Sequence, residues 1–209
     1  MTEPGAPTNP RQQQRREELA AAVWRVLDGA GFAGLSMRAV AAEMGASTGV
    51  VTHYFAGKRD LTTFALELLA DHSAACTRRN AAPGLPALRA ALLDMLPLDA
   101  QSRTANRIWI SSWDAALADA GHAADHAQRY RASRSRVRDL VAATVEDEDE
   151  DEDEGQDAGR VDERAEVLHA AVLGLAVQAV LDPAGYPAER QVLLVDELLL
   201  GTVGRPGHS

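Results

Sequence analysis

Cysteine is nearly absent from this sequence, and that scarcity excludes two classes of protein. Cys76 is the single cysteine among 209 residues, so neither an internal disulfide framework nor a cysteine-rich zinc site is expected. No run of about 18 apolar residues occurs, which predicts that no segment spans a membrane. Residues 1–18 contain no apolar stretch, so no secretory signal is expected. These absences favour a cytoplasmic protein.

Aromatic residues are also scarce, at 4% of the chain, whereas apolar residues reach 46% and can bury a core. No strand-like alternation persists, and long stretches rich in Ala, Leu, Arg and Glu favour helix. We therefore predict an all-α fold of about nine helices. The predicted helices cover residues 11–30, 37–44, 48–55, 58–79, 85–96, 99–118, 123–145, 160–182 and 187–201, with Pro97 and Gly121 among the breakers.

The predicted domains follow from the same pattern. Residues 1–10 contain three prolines and read as a flexible arm. Residues 11–60 form a compact N-terminal module, and residues 61–205 form a larger helical domain.

Negative charge is concentrated in one place. The chain carries a net charge of −10, and Glu146 to Glu154 is an unbroken run of nine carboxylates. Without that run the remainder carries −1, so the acidity does not oppose DNA binding by another surface. We predict a solvated loop over 146–159, because adjacent carboxylates repel one another. Cation binding, or self-inhibition by mimicry of DNA charge, stays open as a functional alternative.

One segment carries a functional motif. Ser36 can cap a short helix, Gly45 can turn the chain with a positive φ, and Ser47 can cap a second short helix over 48–55. Such a pair is a helix-turn-helix, locked by inward-pointing side chains at Val40, Met44, Val51 and Phe55. The outward side chains of the second helix suit a DNA major groove. They are Thr48, Gly49, Val50, Thr52 and His53.

This segment, with the helix before it, resembles the TetR family of repressors over roughly residues 15–65. The resemblance implies that Arg38 contacts a base edge, and that Thr48, Val50 and Thr52 face bases. Phosphates would be held by Ser36, Tyr54 and Lys58. Thr52 departs from the family, which usually has Tyr there. The expected DNA-binding set is Ser36, Met37, Arg38, Ser47, Thr48, Gly49, Val50, Thr52, His53, Tyr54 and Lys58.

The remaining helices resemble the C-terminal domain of the family's betaine-inhibitor-like branch. The supporting residues are Trp109, Trp113, Tyr130, the segment Arg131 to Arg138, and Gly174 to Gln178. The resemblance implies a ligand-responsive repressor that binds a palindromic operator as a homodimer and is released by a small molecule. It also implies that the ligand changes the separation of the two recognition helices.

A dimer is also expected from the apolar pattern of the last two helices, because the last helix is apolar on several faces. The expected interface residues are Leu168, Val172, Leu175, Ala179, Val192, Val195 and Leu199. An effector pocket is expected between long helices. Its candidate residues are Phe64, Leu68, His72, Met95, Trp109, Trp113, His126, Tyr130 and His169.

Two other classes of function are disfavoured. No two of His72, His126 and His169 are three or four residues apart, so neither a metal site nor another cofactor is expected. No nucleophilic triad, phosphate-binding loop or paired-carboxylate site occurs, so an enzyme is not expected. A purely structural helical dimer is the other alternative, and loss of DNA binding on changing Arg38 and Tyr54 would separate it from a repressor.

Overall fold

A computed structural model describes residues 10–75, 81–145 and 154–203. Every regular element in these ranges is helical, which confirms the predicted all-α class. The chain divides into two compact units, residues 1–71 and 72–209, and the division falls within the fourth helix.

The first three helices and most of the fourth lie in the N-terminal unit. They are α1 (Pro10–Ala30), α2 (Met37–Glu43), α3 (Thr48–Thr52) and α4 (Lys58–Ala75), with a 3-10 turn at Phe32–Gly34. Gly31 ends α1 with φ 60° and donates its N–H to the Leu27 carbonyl oxygen at 2.9 Å, as a C-terminal glycine cap should. The apolar stripe of α1 is buried, including Leu19, Val23 and Leu27.

The C-terminal unit contains six further helices among the described residues. They are α5 (Leu85–Asp94), α6 (Ala100–Ser111), α7 (Trp113–Ala118), α8 (Ala120–Val145), α9 (Glu154–Leu181) and α10 (Ala188–Thr202). Helix α9 packs against α8, α6 and α10. Arg89 on α5 donates two hydrogen bonds to the Asp196 carboxylate on α10, at 2.5 and 3.0 Å.

Three predicted boundaries in this unit are wrong. The helix predicted over 99–118 is divided in two at Ser112, where the chain turns between α6 and α7. Gly121 does not break a helix, because Asp119 accepts a hydrogen bond from the His122 N–H at 3.0 Å and starts α8 upstream of the glycine. Helix α9 begins at Glu154, so residues 154–159 are helical instead of a loop. Residues 146–153 of the acidic run lie outside the described residues.

Helix α9 is also the one helix in the described ranges that is long and apolar enough to span a membrane, over Gly159–Leu181, although no run of uninterrupted apolar residues predicted it. A single such helix is weak evidence for a span. Its residues Leu168, Val172 and Leu175 are buried in the apolar core of the C-terminal unit, and 33% of the apolar window is buried.

Candidate nucleic-acid interface and effector site

The turn between α2 and α3 is built as the motif predicts. Ser36 accepts a hydrogen bond from the Ala39 N–H at 3.1 Å and so caps α2. Gly45 has φ 60°, a conformation that glycine adopts without steric cost. The Ala46 N–H then donates to the Ala41 carbonyl oxygen at 2.9 Å, which closes the turn. Local hydrogen bonds therefore fix the angle between the two short helices.

Apolar contacts hold the inner faces of α2 and α3. Val40 and Val51 are fully buried, Phe55 is buried, and Met44 is half-buried. The Phe55 ring lies 5.3 Å from the Phe64 ring on α4. Regular helix ends at Thr52, three residues earlier than predicted, and His53 to Phe55 follow in a turn whose N–H groups still reach the Val51 carbonyl oxygen.

The outer face carries hydroxyl groups whose hydrogen-bonding capacity is only partly used. The Ser36 hydroxyl oxygen accepts a hydrogen bond from the Ala39 N–H, and its own proton remains available for donation. Ser47 stands at the start of α3 but forms no side-chain cap bond, contrary to prediction. Thr52 donates its proton to the Gly49 carbonyl oxygen at 3.1 Å. Ser36 and Ser47 can therefore donate to a phosphate, whereas Thr52 can only accept or present its methyl group.

Two exposed cations lie on the same part of the N-terminal unit. Arg38 on α2 and Lys58 at the start of α4 are exposed, and neither side chain has a hydrogen bond or ion pair among the described residues. Arg25, by contrast, is bound to Glu43, with its Nε 3.0 Å from the carboxylate and a second donor 3.1 Å from the Glu43 carbonyl oxygen. Arg38 and Lys58 can therefore meet phosphates or base edges.

The C-terminal unit contains a cluster of aromatic rings around one hydroxyl group. The indole N–H groups of Trp109 and Trp113 both donate to the Tyr130 hydroxyl oxygen, at 3.2 and 2.9 Å. The Trp109 ring also lies 4.5 Å from the His126 ring, and the Tyr130 ring lies 6.3 Å from the His169 ring. Helices α6, α7, α8 and α9 each contribute to this cluster.

Buried imidazole nitrogens in and beside the cluster have no hydrogen-bond partner. They are both nitrogens of His122, Nδ1 of His126 and Nε2 of His169. Burial lowers the pKa of His126 and that of His169, and it raises the pKa of Tyr130 against the opposing effect of the two indole donors. All three side chains are therefore neutral at physiological pH. Buried polar groups without partners are rare in proteins and mark a place where a water or a ligand is expected to bind.

Comparison with known proteins identifies both parts of the chain. Residues 19–63 match the family of bacterial regulatory proteins called the tetR family, and residues 85–204 match the C-terminal domain of BetI-type transcriptional repressors. The chain belongs to the TetR family. Its members and relatives are transcriptional regulators and not enzymes, so this TetR-family chain is a DNA-binding transcriptional regulator.

Individual relatives agree with this assignment. The HTH-type transcriptional regulator PksA of Bacillus subtilis is 32% identical over 186 residues, which cover 85% of this chain and 84% of PksA. A transcriptional regulator from Rhodococcus sp. Rha1 has a similar crystal structure, with a TM-score of 0.70, 29% identity, and coverage of 91% of this chain and 98% of that one. A regulator from Saccharomonospora viridis, solved in complex with choline, shares the fold at a TM-score of 0.75 and 19% identity, covering 90% and 96% of the chains.

The predicted pocket residues of this TetR-family chain fall into separate places. Trp109, Trp113, His126, Tyr130 and His169 come together in the cluster. Met95 instead packs against the apolar core of the C-terminal unit. Phe64 contacts Phe55 in the N-terminal unit, and Leu68 and His72 on α4 remain predictions.

Two residues of the cluster were missed by sequence reasoning. The Ser112 hydroxyl lies 3.1 Å from His126 Nε2, and His122 lies one helical turn before His126. The spacing of His122, His126 and Tyr130, four residues apart on one helix face, was a signal that could have revealed the cluster. No group of three or more metal-ligating side chains occurs in the described part of the chain.

The predicted dimer interface requires a correction. Six of its seven residues are buried within the protein's own C-terminal unit: Leu168, Val172, Leu175, Ala179, Val195 and Leu199. These side chains are therefore unavailable to a partner, and Val192 is half-buried against the same core. The apolar pattern correctly predicts that these side chains are buried, but they are buried against the core of the same chain and not against a partner subunit.

Proposed function

We propose that this chain is a homodimeric repressor that acts in the cytoplasm, binds a palindromic operator and is released by a small molecule. The observation that carries the proposal is the polar surface of α2 and α3, where exposed donors surround a capped and rigid helix-turn-helix. Arg38 offers a bidentate donor for guanine, and Ser36, Ser47 and Lys58 offer phosphate contacts.

The proposed operator contacts include a specific role for Thr52. Its hydroxyl proton is held by the Gly49 carbonyl oxygen, so the side chain faces DNA with an acceptor and a methyl group. An acceptor suits the amino group of cytosine or adenine, and a methyl group suits the methyl of thymine. Gly49 has no side chain, which allows the backbone at the start of α3 to approach the DNA.

The proposed dimer uses outer faces of α9 and α10, which pack against each other. On α9 one exposed stripe recurs at helical spacing and consists of Val167, Ala171, Gly174, Gln178 and Leu181. On α10 the exposed apolar residues include Leu193, which is 64% exposed, and Leu200, which lies on the same face two turns later. Small residues at Ala171 and Gly174 leave room for a second helix, because a Cβ added at Gly174 would meet no atom within 4 Å. Two such helices from each subunit form a four-helix interface with two-fold symmetry.

The proposed effector site is the aromatic and histidine cluster of the C-terminal unit. The choline complex of the Saccharomonospora viridis regulator supports the general idea of a small-molecule effector in this fold. A repressor of this kind requires the effector to bind the DNA-free conformation more tightly than the DNA-bound one.

Selection of bound DNA from a random pool, followed by affinity measurements on the selected sequence, tests the proposal. We expect a palindromic sequence, and a double change Arg38→Ala with Tyr54→Ala should weaken its binding at least about thirtyfold, because each specific contact is worth about 1–3 kcal/mol. The charge-matched control Arg103→Ala removes an exposed arginine from α6 and should bind like the parent. Unchanged affinity of the double variant would contradict DNA recognition by this motif.

The oligomeric state and the direction of regulation need their own measurements. Leu193→Glu with Leu200→Glu should convert the dimer into monomers in sedimentation experiments, because each change places a charge in the proposed interface. A reporter driven by the selected operator should be silenced by the parent chain and active with the Arg38 and Tyr54 variant. Activation of that reporter by the parent chain would contradict the repressor role.

A further inference from the structure

The hydrogen-bond partners of Ser112 determine where the proton of His126 lies. The Ser112 hydroxyl is 2.6 Å from the Trp109 carbonyl oxygen, so it donates its single proton there. Its oxygen must then accept from His126 Nε2, which lies 3.1 Å away. His126 therefore carries its proton on Nε2, and Nδ1 is a bare acceptor. That acceptor is buried and has no donor among the described residues.

Tyr130 presents the complementary group. Its hydroxyl oxygen accepts hydrogen bonds from the indole N–H groups of Trp109 and Trp113, which occupy both acceptor positions. The hydroxyl proton is then left over, and no hydrogen bond within the described ranges receives it. The His126 and Tyr130 rings are 6.2 Å apart. These two neighbouring rings thus carry one unused acceptor and one unused donor.

The electrostatics of the cluster disfavour a positive charge. Burial is the main effect that keeps His126 and His169 neutral, and the charges of Arg129 and Arg134 act in the same direction. Asp125 opposes them at His126. No Asp or Glu is among the buried polar residues that the structure describes, so no buried carboxylate is available to pair with a cation. The Trp109 ring, which could attract a cation through its face, already contacts the His126 ring, whose centroid is 4.5 Å away and whose plane is tilted by 37°.

We infer that the effector of this protein is an uncharged molecule with a hydroxyl group, which donates to His126 Nδ1 and accepts from the Tyr130 hydroxyl. This inference rests on the proposed function, since it names the ligand class of the proposed effector site. The rings of Trp109 and Tyr130 supply apolar surface for the body of such a molecule. A quaternary ammonium compound is disfavoured, although a regulator of the same fold was solved with choline.

Three probes of one shape separate charge from hydrogen bonding in calorimetric titrations of the full chain. They are choline, its uncharged isostere dimethylbutanol, in which carbon replaces the ammonium nitrogen, and the methyl ether of that alcohol. We expect the alcohol to bind, the ether to bind at least about tenfold more weakly because it leaves His126 Nδ1 without a donor, and choline to bind more weakly than the alcohol. Choline binding as tightly as the alcohol, or no binding of the alcohol, would overturn the inference.

Variants of the cluster assign the two contacts. Tyr130→Phe keeps the ring and removes the hydroxyl, and His126→Phe removes the acceptor. Each change should weaken alcohol binding about tenfold or more. Only His126→Phe should also reduce the preference for the alcohol over its ether, because the ether lacks the proton that His126 Nδ1 accepts. Gln128→Ala, an exposed change on the same helix, should bind like the parent. Circular dichroism checks that each variant is folded, and equal alcohol and ether binding in the parent chain would overturn the assignment.

The same preparations keep this inference separate from the proposed function. Operator affinity is measured without any probe for the parent and both cluster variants. If the parent chain does not bind the operator, the proposed repressor function is contradicted. If it binds the operator normally but does not bind the alcohol, only the inferred ligand class is contradicted.

Discussion

The recognition surface and the buried cluster place similar polar groups in opposite surroundings. On α2 and α3 the hydroxyls and the Arg38 guanidinium are exposed, and water satisfies the capacity that the protein leaves unused. In the cluster, both nitrogens of His122, Nδ1 of His126 and Nε2 of His169 are buried, and no hydrogen bond from the protein satisfies them. A polar group without a protein partner therefore costs little folding free energy on the exposed surface, because water binds it, and it lowers the stability of the folded chain in the buried cluster.

Because of this difference, substitutions in the two regions should affect stability and binding differently. Changes on the recognition surface should alter DNA affinity with little effect on folding. Changes in the cluster should alter both, because a buried polar group without a partner is tolerated only where it serves binding.

The largest effect on folding should come from the apolar core beside the cluster. Leu168→Ala removes a fully buried side chain on α9, and we expect it to lower the free energy of unfolding by about 2–5 kcal/mol because it leaves a cavity. Leu117→Ala is the matched control, since that leucine is 89% exposed, and it should change the free energy by less than about 0.5 kcal/mol. Urea denaturation measures both. Equal effects would show that burial does not distinguish these two leucines.

A smaller effect of opposite sign is expected at His122. Both of its nitrogens are buried without a hydrogen bond, and the Asp119 carboxylate oxygen that faces Nδ1 is 3.7 Å away, beyond hydrogen-bonding distance. His122→Leu should therefore raise the free energy of unfolding by about 1–2 kcal/mol. His53→Leu, on the exposed recognition surface, should leave stability within about 0.5 kcal/mol. Thermal denaturation compares the two changes. Destabilisation by His122→Leu would mean that the imidazole has a partner in solution.

The smallest effect is a pH dependence of stability that originates in the cluster. Burial lowers the pKa of His126 and of His169 in the folded chain, whereas in the unfolded chain both titrate near about 6.5. As the pH falls below about 6.5, the unfolded chain takes up protons that the folded chain does not, so stability decreases until the lowered pKa values are passed.

The measurement for this pH effect is a comparison of unfolding free energies at about pH 7 and about pH 5. The double change His126→Phe with His169→Phe should reduce the loss seen in the parent, while carboxylates elsewhere leave a residual dependence. His53→Phe serves as the exposed control and should retain the full loss. An undiminished loss in the double variant would exclude these two histidines as its source.

Local features of the fold could be predicted from the sequence because their causes are local. Ser36, Gly45 and the buried valines of α2 and α3 act within a few residues, and the structure contains each of them as expected. The start of α8 was missed although its cause is equally local. Asp119 caps that helix, whereas the sequence pattern predicts a break at Gly121, one residue into it. A glycine near a capped start costs only about 1 kcal/mol, and the rest of a long helix outweighs it.

The wrong dimer face has a different cause. Leu168 and Val167 are neighbours on α9 and are both apolar, yet one is buried in the core and the other is exposed. Periodicity shows that a helix has two apolar faces but does not say which face meets the protein's own core. The cluster was predicted except for Ser112 and His122, because the contact between Ser112 and His126 depends on how α7 packs against α8 and has no periodic signal in the sequence.

The shared hydroxyl of Tyr130 also gives this protein an internal optical reporter. Of three tryptophans, Trp109 and Trp113 direct their indole N–H groups at that one oxygen, while Trp24 belongs to the N-terminal unit. Two of the three indoles therefore share one hydrogen-bond partner, and both contribute to the intrinsic fluorescence. Any event that rotates the Tyr130 side chain changes the emission of both at once, so occupancy of the cluster can be followed in the unlabelled chain.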